Sequence, residues 1–293
     1  MTNKILISIL IAFSFAACQK EDSGIPQPIS SLENSKVVQL SPATFSQKLL
    51  MEMYSTVSCA TCPDAEQKYR NYAAQHPDKV YGVNIHKGDA MNNVQFDFLK
   101  TLLNVTQYSS GSFNRLPFNG VSVLHKTTWT STIVNTCLNK TAACGLKINS
   151  TISGNLLSTT VYSGFNQAMS GTYNLTVYLL EDSVTGTGSG YNQSNYYNNI
   201  ASSPFYQLGN PIIGYNHSYV LRKVATSNNG IIIPASYIHA GGIYGKSFSI
   251  DISGYDPSQL YIVAFINKVG TTTLTQQIMN VQRVKAGKNK NWD

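Results

Sequence analysis

Charge is what this chain has least of. Asp, Glu, Lys and Arg make up 12% of the residues, and the Lys and Arg behind the formal charge of +7 are scattered except for a cluster from Arg283 to Lys290. Nucleic-acid binding calls for a basic stripe interleaved with aromatics, so no nucleic-acid partner is expected. Long apolar runs are missing as well. The run from Ile5 to Phe15 is too short to cross a bilayer as a helix. Histidine is sparse, and none of the five is obviously placed beside a reactive group. His76 and His125 read as surface-loop residues, while His86, at the end of a strand-like run, can approach a site only through topology. No metal and no cofactor is expected from these patterns.

At the N-terminus, Lys4 and the apolar run behind it have the proportions of a signal peptide. Phe15-Ala16-Ala17-Cys18 resembles a bacterial lipobox, whose Cys becomes the first mature residue and carries lipid; an ordinary secretory signal with a chance Cys is the alternative. Gln19-Lys20-Glu21-Asp22 resembles the acidic export signal of Bacteroidetes surface lipoproteins. This resemblance implies an outer-membrane protein anchored through lipid on Cys18 and facing outward. Residues 1–17 are therefore expected to be a lipoprotein signal peptide. Residues 18–35, rich in Ser, Pro and polar side chains without a period, are expected to be a flexible tether. Loss of Lys4 lowers the formal charge from +7 to +6, and residues 285–293 read as a solvated basic tail.

With Cys18 assigned to lipid, four of the five cysteines remain, an even number in a compartment that permits disulfides. Cys59-Ala60-Thr61-Cys62-Pro63 follows a buried strand-like run, Lys48–Tyr54. It precedes Asp64–His76, where Ala65, Tyr69, Tyr72 and Ala73 recur at helical spacing. Cys59 then sits just ahead of a helix N-terminus, whose partial positive charge favours thiolate over thiol. Pro63 is tolerated because an N–H in the first helical turn has no partner to lose. A structural disulfide, or half of a zinc site, is the other use of this motif. Cys137 and Cys144 form the second natural pair, closing a short loop with a structural disulfide at a domain boundary.

Organisation changes at that boundary. Up to residue 141 strand and helix signals alternate: Val37–Leu40, Lys48–Tyr54, helix Asp64–His76, Lys79–His86, helix Val94–Val105, strand Phe118–His125 after Leu116-Pro117, then a helix whose Trp129, Ile133 and Cys137 share a face. Such alternation predicts an α/β domain over residues 36–141. Residues 142–284 carry about seven short runs rich in β-branched and aromatic residues, which predicts an antiparallel β-sandwich. Within them Thr185–Tyr215 is too long for a plain connection. Its Tyr196, Tyr197 and Tyr206, among Asn, Ser and Gly, suit binding of a sugar or peptide as a surface ligand; a loop packing its own aromatics is the alternative.

The order strand, Cys-x-x-Cys, helix, strand, helix, Pro, strand, helix resembles a thioredoxin fold, giving the expected architecture: an α/β thioredoxin-like domain followed by an all-β antiparallel sandwich domain. The resemblance implies that Pro117, after Leu116, is the cis-proline facing the thiols, a property cis bonds confine almost wholly to proline. It implies that Cys59 attacks a partner disulfide and Cys62 resolves the mixed disulfide, with protein thiols or disulfides as partners. Glu52 resembles the buried acid that helps deprotonate the resolving Cys, one residue out of register. Ser58 stands where thioredoxins have Trp, and Ala-Thr separates the cysteines. The whole chain also resembles the Bacteroidetes surface lipoproteins named for outer membrane protein 28, on Glu52–Ala65 and on Tyr215-Asn216-His217-Ser218-Tyr219-Val220-Leu221-Arg222. That family implies a surface address and an adhesive role as the alternative to catalysis.

Overall fold

The computed structural model describes residues 40–292, so the expected signal peptide, Cys18, the tether and most of the strand expected at 37–40 lie outside the described residues. Residues 49–138 give β1 (Leu49–Ser55), α1 (Cys62–Gln75), β2 (Val80–His86), α2 (Gln95–Leu103), β3 (Ser110–Phe113), β4 (Leu124–His125) and α3 (Ser131–Leu138). The remainder is β5 (Cys144–Ser153), β6 (Leu156–Phe165), β7 (Tyr173–Glu181), β8 (Val220–Val224), β9 (Ile231–Ile232), β10 (Ile243–Asp251), β11 (Leu260–Lys268) and β12 (Ile278–Lys285). Among the described residues the protein is β-rich and built from two sheets. A large mixed sheet runs β12-β11-β7-β8-β2-β1-β3-β4, with β9 on β7, and a small antiparallel sheet runs β10-β6-β5.

The expected boundary at residue 141 does not separate two sheets. β8 lies parallel to β2 through the pair Asn84 and Val220, so strands from both sides of the boundary share one hydrogen-bonded surface. Period-two alternation then sorts the cores. Leu50, Tyr54, Val83 and Ile85 point to the α2 face, together with Tyr178, Leu180 and Phe265 from the later strands. On the other face Leu49, Met51 and Met53 pack under α1 and α3, while Leu175, Val177 and Leu179 of β7 pack against Ile148, Leu157 and Val161 of the small sheet. Gly82 lets α1 lie close. A Cβ there would sit 2.4 Å from the Tyr69 ring, which lies on the middle of β2.

A buried ion pair of the first half reaches the later strands through a ring contact. Glu52 accepts from Arg115 Nε at 2.8 Å and Nη2 at 2.6 Å and from the Ser112 hydroxyl at 2.9 Å, while the Arg115 guanidinium lies 5.4 Å from the Phe265 ring centroid of β11. Both side chains are withdrawn from solvent. Burial alone would pull the guanidinium down, but the Glu52 charge and its hydrogen bonds outweigh that and hold Arg115 above its ordinary value.

Several expectations are corrected. The strand expected at 118–125 contracts to the two residues of β4, and its place beside β1 is taken by β3, in the stretch between the expected helix and Leu116 where no strand is expected. Pro117 consequently falls beyond β3. Leu116–Pro117 is trans, and the turn after β3 is made by Asn114 and Arg115 at positive φ, with Leu116 N–H donating to Phe113 O at 3.0 Å. Cys137 and Cys144 are free thiols. Cys137 faces the Phe113 carbonyl at 3.8 Å inside the core under α3, whereas Cys144 opens β5 in the core of the small sheet, and burial pushes each thiol up to about 12. The basic tail is not a solvated end. Arg283 belongs to β12 and lies over the rings of Tyr81, Tyr219 and Tyr261, and Lys290 exchanges backbone hydrogen bonds with Ile148.

Removing one member of a buried ion pair strands the other. Arg115→Met and Glu52→Gln are each expected to lower unfolding free energy by about 3–5 kcal/mol, and the double variant to lose clearly less than the sum. Urea denaturation of the four proteins checks this, and additive losses would show the pair is not coupled.

Candidate active site

α1 begins at Cys62, with Thr61 at the N-cap position and Pro63 in the first turn. Cys59 and Cys62 are joined by a disulfide. The turn carrying them is fixed locally by Cys59 N–H to Thr56 O at 3.0 Å and Cys62 N–H to Cys59 O at 3.1 Å. Cys62 is buried, while Cys59 is partly open to solvent. The partly exposed cysteine therefore precedes the helix and the buried one sits inside its first turn. That asymmetry lets one sulfur meet a partner while the other waits.

The residue facing the disulfide is Ser109, which no sequence motif had singled out. It immediately precedes β3, is buried, and holds φ at 56°. Its hydroxyl lies 3.1 Å from Cys59 Sγ, 3.4 Å from Cys62 Sγ and 2.6 Å from Thr61 Oγ1. Its backbone is held by Lys126 N–H donating to Ser109 O at 2.9 Å. Pro117, assigned to this place from the sequence, is an exposed residue beyond the turn that follows β3. Recognising Ser110–Phe113 as the strand beside β1 would have pointed to Ser109, since the residue entering that strand meets the start of α1.

Glu52 is not beside the sulfurs. Alternation along β1 turns it to the α2 face, away from α1, and Arg115 and Ser112 occupy its carboxylate. The carboxylate that shares a narrow cavity with Cys62 is Glu66, one turn along α1, together with Asn84 and Ser110. Glu66 pairs with Arg70 at 2.6 Å and accepts from Ser218 N–H at 3.0 Å and from the Tyr215 hydroxyl at 3.2 Å.

Those last two contacts come from the long segment between β7 and β8, which closes over the site. Gln193 Nε2 donates to Val57 O at 3.1 Å and Cys59 O at 2.9 Å, Ser194 N–H to Val57 O at 2.8 Å, and Tyr196 N–H to Ala60 O at 2.9 Å. The segment is itself pinned by bridges between Val184 and His217 and between Gln193 and Ile212. Tyr197 packs between Tyr196 and Phe205, whereas Tyr196 and Tyr206 are 64% and 39% exposed at its surface. The loop thus packs part of its aromatic content and leaves Tyr196, held at its N–H by Ala60 O, and Tyr206 at the surface.

Behind the turn lies a buried pair of imidazoles. His86 Nδ1 meets Asp89 Oδ2 at 2.7 Å, and Asp89 also accepts from Val57 N–H at 3.0 Å and Met91 N–H at 2.9 Å. The His86 ring stands edge-on to His217 at 5.3 Å, and His217 Nε2 donates to Tyr191 O at 2.9 Å. Arg222, from the same sequence stretch, faces elsewhere and pairs with Glu181 at 2.7 Å. Among the described residues no group of three or more His, Cys, Asp or Glu is arranged to hold a metal, and no helix is long and apolar enough to cross a membrane.

Fold and site together define a β-rich protein of two packed sheets with a Cys-x-x-Cys disulfide at the start of a helix. The family model described as outer membrane protein Omp28 matches residues 97–290, and the chain belongs to that family, which associates it with the outer membrane. Among solved structures the chain is similar to HBP35 of Porphyromonas gingivalis, with a TM-score of 0.66 at 14% identity over 83% of this chain and 76% of that one, a likeness of fold. A protein from Agrobacterium tumefaciens aligns with a TM-score of 0.48 at 11% identity over 85% of this chain and 98% of that one. No curated protein matches the sequence.

Burial and the neighbouring His86 pull His217 down to about 4, below its ordinary 6.5, outweighing its bond to Tyr191 and the charges of Glu66 and Asp89. The unfolded chain then binds the extra proton first as pH falls. Stability from a neutral His217 is complete above about pH 6.5 and drains away between there and about pH 4, by roughly 3 kcal/mol. Urea midpoints at pH 7.5 and pH 4 should differ more for the wild type than for His217→Gln. Equal pH dependence would exclude His217 as the source.

Proposed function

We propose that this protein is a lipid-anchored outer-membrane lipoprotein, attached through Cys18 and exposed at the cell surface, whose Cys59–Cys62 pair exchanges with protein thiols and disulfides. The observation that carries the reading is the asymmetry of the pair: Cys59 partly exposed ahead of α1, Cys62 buried within its first turn. The strand order β2-β1-β3-β4, with β2 parallel and β3 antiparallel to β1 and helices after β1, β2 and β4, supports a thioredoxin-like reading of this half. In the reduced protein the Cys59 thiolate attacks one sulfur of a partner disulfide. A Cys59–sulfur bond forms, the partner bond breaks, and the leaving thiolate takes up a proton. Cys62 then gives up its proton and attacks the Cys59 sulfur, closing the disulfide seen here and releasing the second partner thiol. The partner gains two electrons and two protons that the dithiol loses, and an envelope dithiol is needed to reduce Cys59–Cys62 again.

A second reading rests on the segment that closes over the turn. Three donors, from Gln193, Ser194 and Tyr196, hold the carbonyls of Val57, Cys59 and Ala60, an arrangement that suits a disulfide acting as a staple under a surface-binding loop. Its ligand would meet Tyr196 and Tyr206.

Insulin reduction with dithiothreitol as donor separates the two. Turnover above a Cys59→Ser, Cys62→Ser control is expected, with a reduction potential above about −300 mV. No turnover together with a lower potential would replace exchange with the staple.

A further inference from the structure

Ser109 and Thr61 make a hydroxyl pair beside the closed disulfide. The two oxygens are 2.6 Å apart, so one hydroxyl donates to the other. With Thr61 as the donor, the Ser109 proton is the one left to place. Ser109 is 1% exposed, which excludes bulk water as its acceptor, and the atoms in reach of its oxygen are Cys59 Sγ at 3.1 Å and Cys62 Sγ at 3.4 Å. A disulfide sulfur accepts hydrogen bonds only weakly. A thiolate accepts strongly, because a charged acceptor roughly doubles the bond.

We infer that the Ser109 hydroxyl, oriented by Thr61, is the donor that stabilises the Cys59 thiolate once the disulfide opens. The inference rests on the exchange reading above and names the group that sets the reactivity of its nucleophile. The relay is Thr61 O–H to Ser109 Oγ and Ser109 O–H to Cys59 Sγ, with each proton used once. Geometry is held from three sides. Thr61 sits at the cap of α1, Ser109 is fixed at its carbonyl by Lys126 N–H, and its positive φ turns it out of the line of β3 so that its side chain meets the sulfurs. Of the two sulfurs, Cys59 is closer to Ser109 and is the only one within reach of both hydroxyls, Thr61 Oγ1 lying 3.9 Å from it. The pair therefore favours charge on the partly exposed sulfur over the buried one.

The test is the thiolate midpoint of Cys59, followed by absorbance at 240 nm against pH in the full chain carrying Cys18→Ser and Cys62→Ser. Cys137 and Cys144 stay silent near neutrality because burial holds both thiols high, at about 12. A hydrogen bond to a charged group contributes about 1.5–3 kcal/mol, so Ser109→Ala is expected to raise the midpoint by about one unit or more, a tenfold loss of thiolate at fixed pH. Ser109→Gly accepts the positive φ without strain and should raise it equally. Thr61→Val, which leaves Ser109 in place but unoriented, should give a smaller rise. An unchanged midpoint in the Ala or Gly variant overturns the inference, as does a rise confined to Thr61→Val. The midpoint is read on the protein alone. A rise in the Ser109 variants with no insulin turnover would fault the exchange reading and leave this one standing; turnover with an unmoved midpoint would do the reverse.

Discussion

The structure turns on a buried charge pair between β1 and the turn after β3, whose arginine also packs on a ring of β11. Glu52 sits in β1, between β2 and β3 in the large sheet, and Arg115 leaves the turn after β3 to meet it with two hydrogen bonds while covering Phe265 of β11. Taking both ions from water is costly, and their attraction offsets that cost only when every oxygen and donor is well placed. The Ser112 hydroxyl completes the set on the carboxylate. Such a pair adds little net stability over an apolar pair of the same shape. It does penalise any arrangement in which β3 slips along β1 or in which β11 withdraws, because either would leave a buried charge uncompensated.

Fixing β3 fixes the site. The register Glu52 opposite Ser112 sets where β3 begins, and so places Ser109 at the head of α1 against both sulfurs. On the other side, the continuation of the sheet through β2 and β8 brings the β7–β8 segment over the same turn, where Gln193, Ser194 and Tyr196 take up three carbonyls. Arg283, under three tyrosine rings, repeats the theme on β12, with a cation used as packing material between elements distant in sequence.

What could be read from the sequence followed from where apolar periodicity is strong. β1, α1, β2 and α2 were legible because their buried faces are nearly continuous, and the cysteines were legible from their spacing. β3 was not, since Ser110-Gly111-Ser112 carries no apolar signal: Gly111 is required by close approach, where a Cβ would lie 2.8 Å from the Glu52 carbonyl, and Ser112 is required by the ion pair. β12 was hidden for a related reason, because its Asn280 and Gln282 are buried donors to the carbonyls of Cys144 and Leu146 and read from sequence as solvent-facing. Placing the third core strand after Pro117 and not after Ser109 then carried the expected cis-proline with it. The side of β1 that Glu52 faces was available from alternation alone, as Leu50, Glu52 and Tyr54 share a parity opposite to Leu49, Met51 and Met53.

The family match begins at residue 97, after both cysteines of the disulfide, and takes in Ser109, Arg115, the segment over the site and Arg283. By position the match spans the receiving half of the site: the hydroxyl that faces the sulfurs, the arginine that sets its register and the loop that covers the turn. The disulfide is contributed by the part of the chain before the match. A receiving half of this form has a physical use apart from redox chemistry, since its three loop donors would hold the 57–60 turn by its backbone whatever side chains that turn carried. The buried Ser109 hydroxyl is different in kind. Its contacts are to sulfur and to Thr61, so removing the sulfurs would leave it Thr61 alone among them. Backbone-held closure is the structural component of the site, and the Ser109 hydroxyl is the component that responds to the chemical state of Cys59.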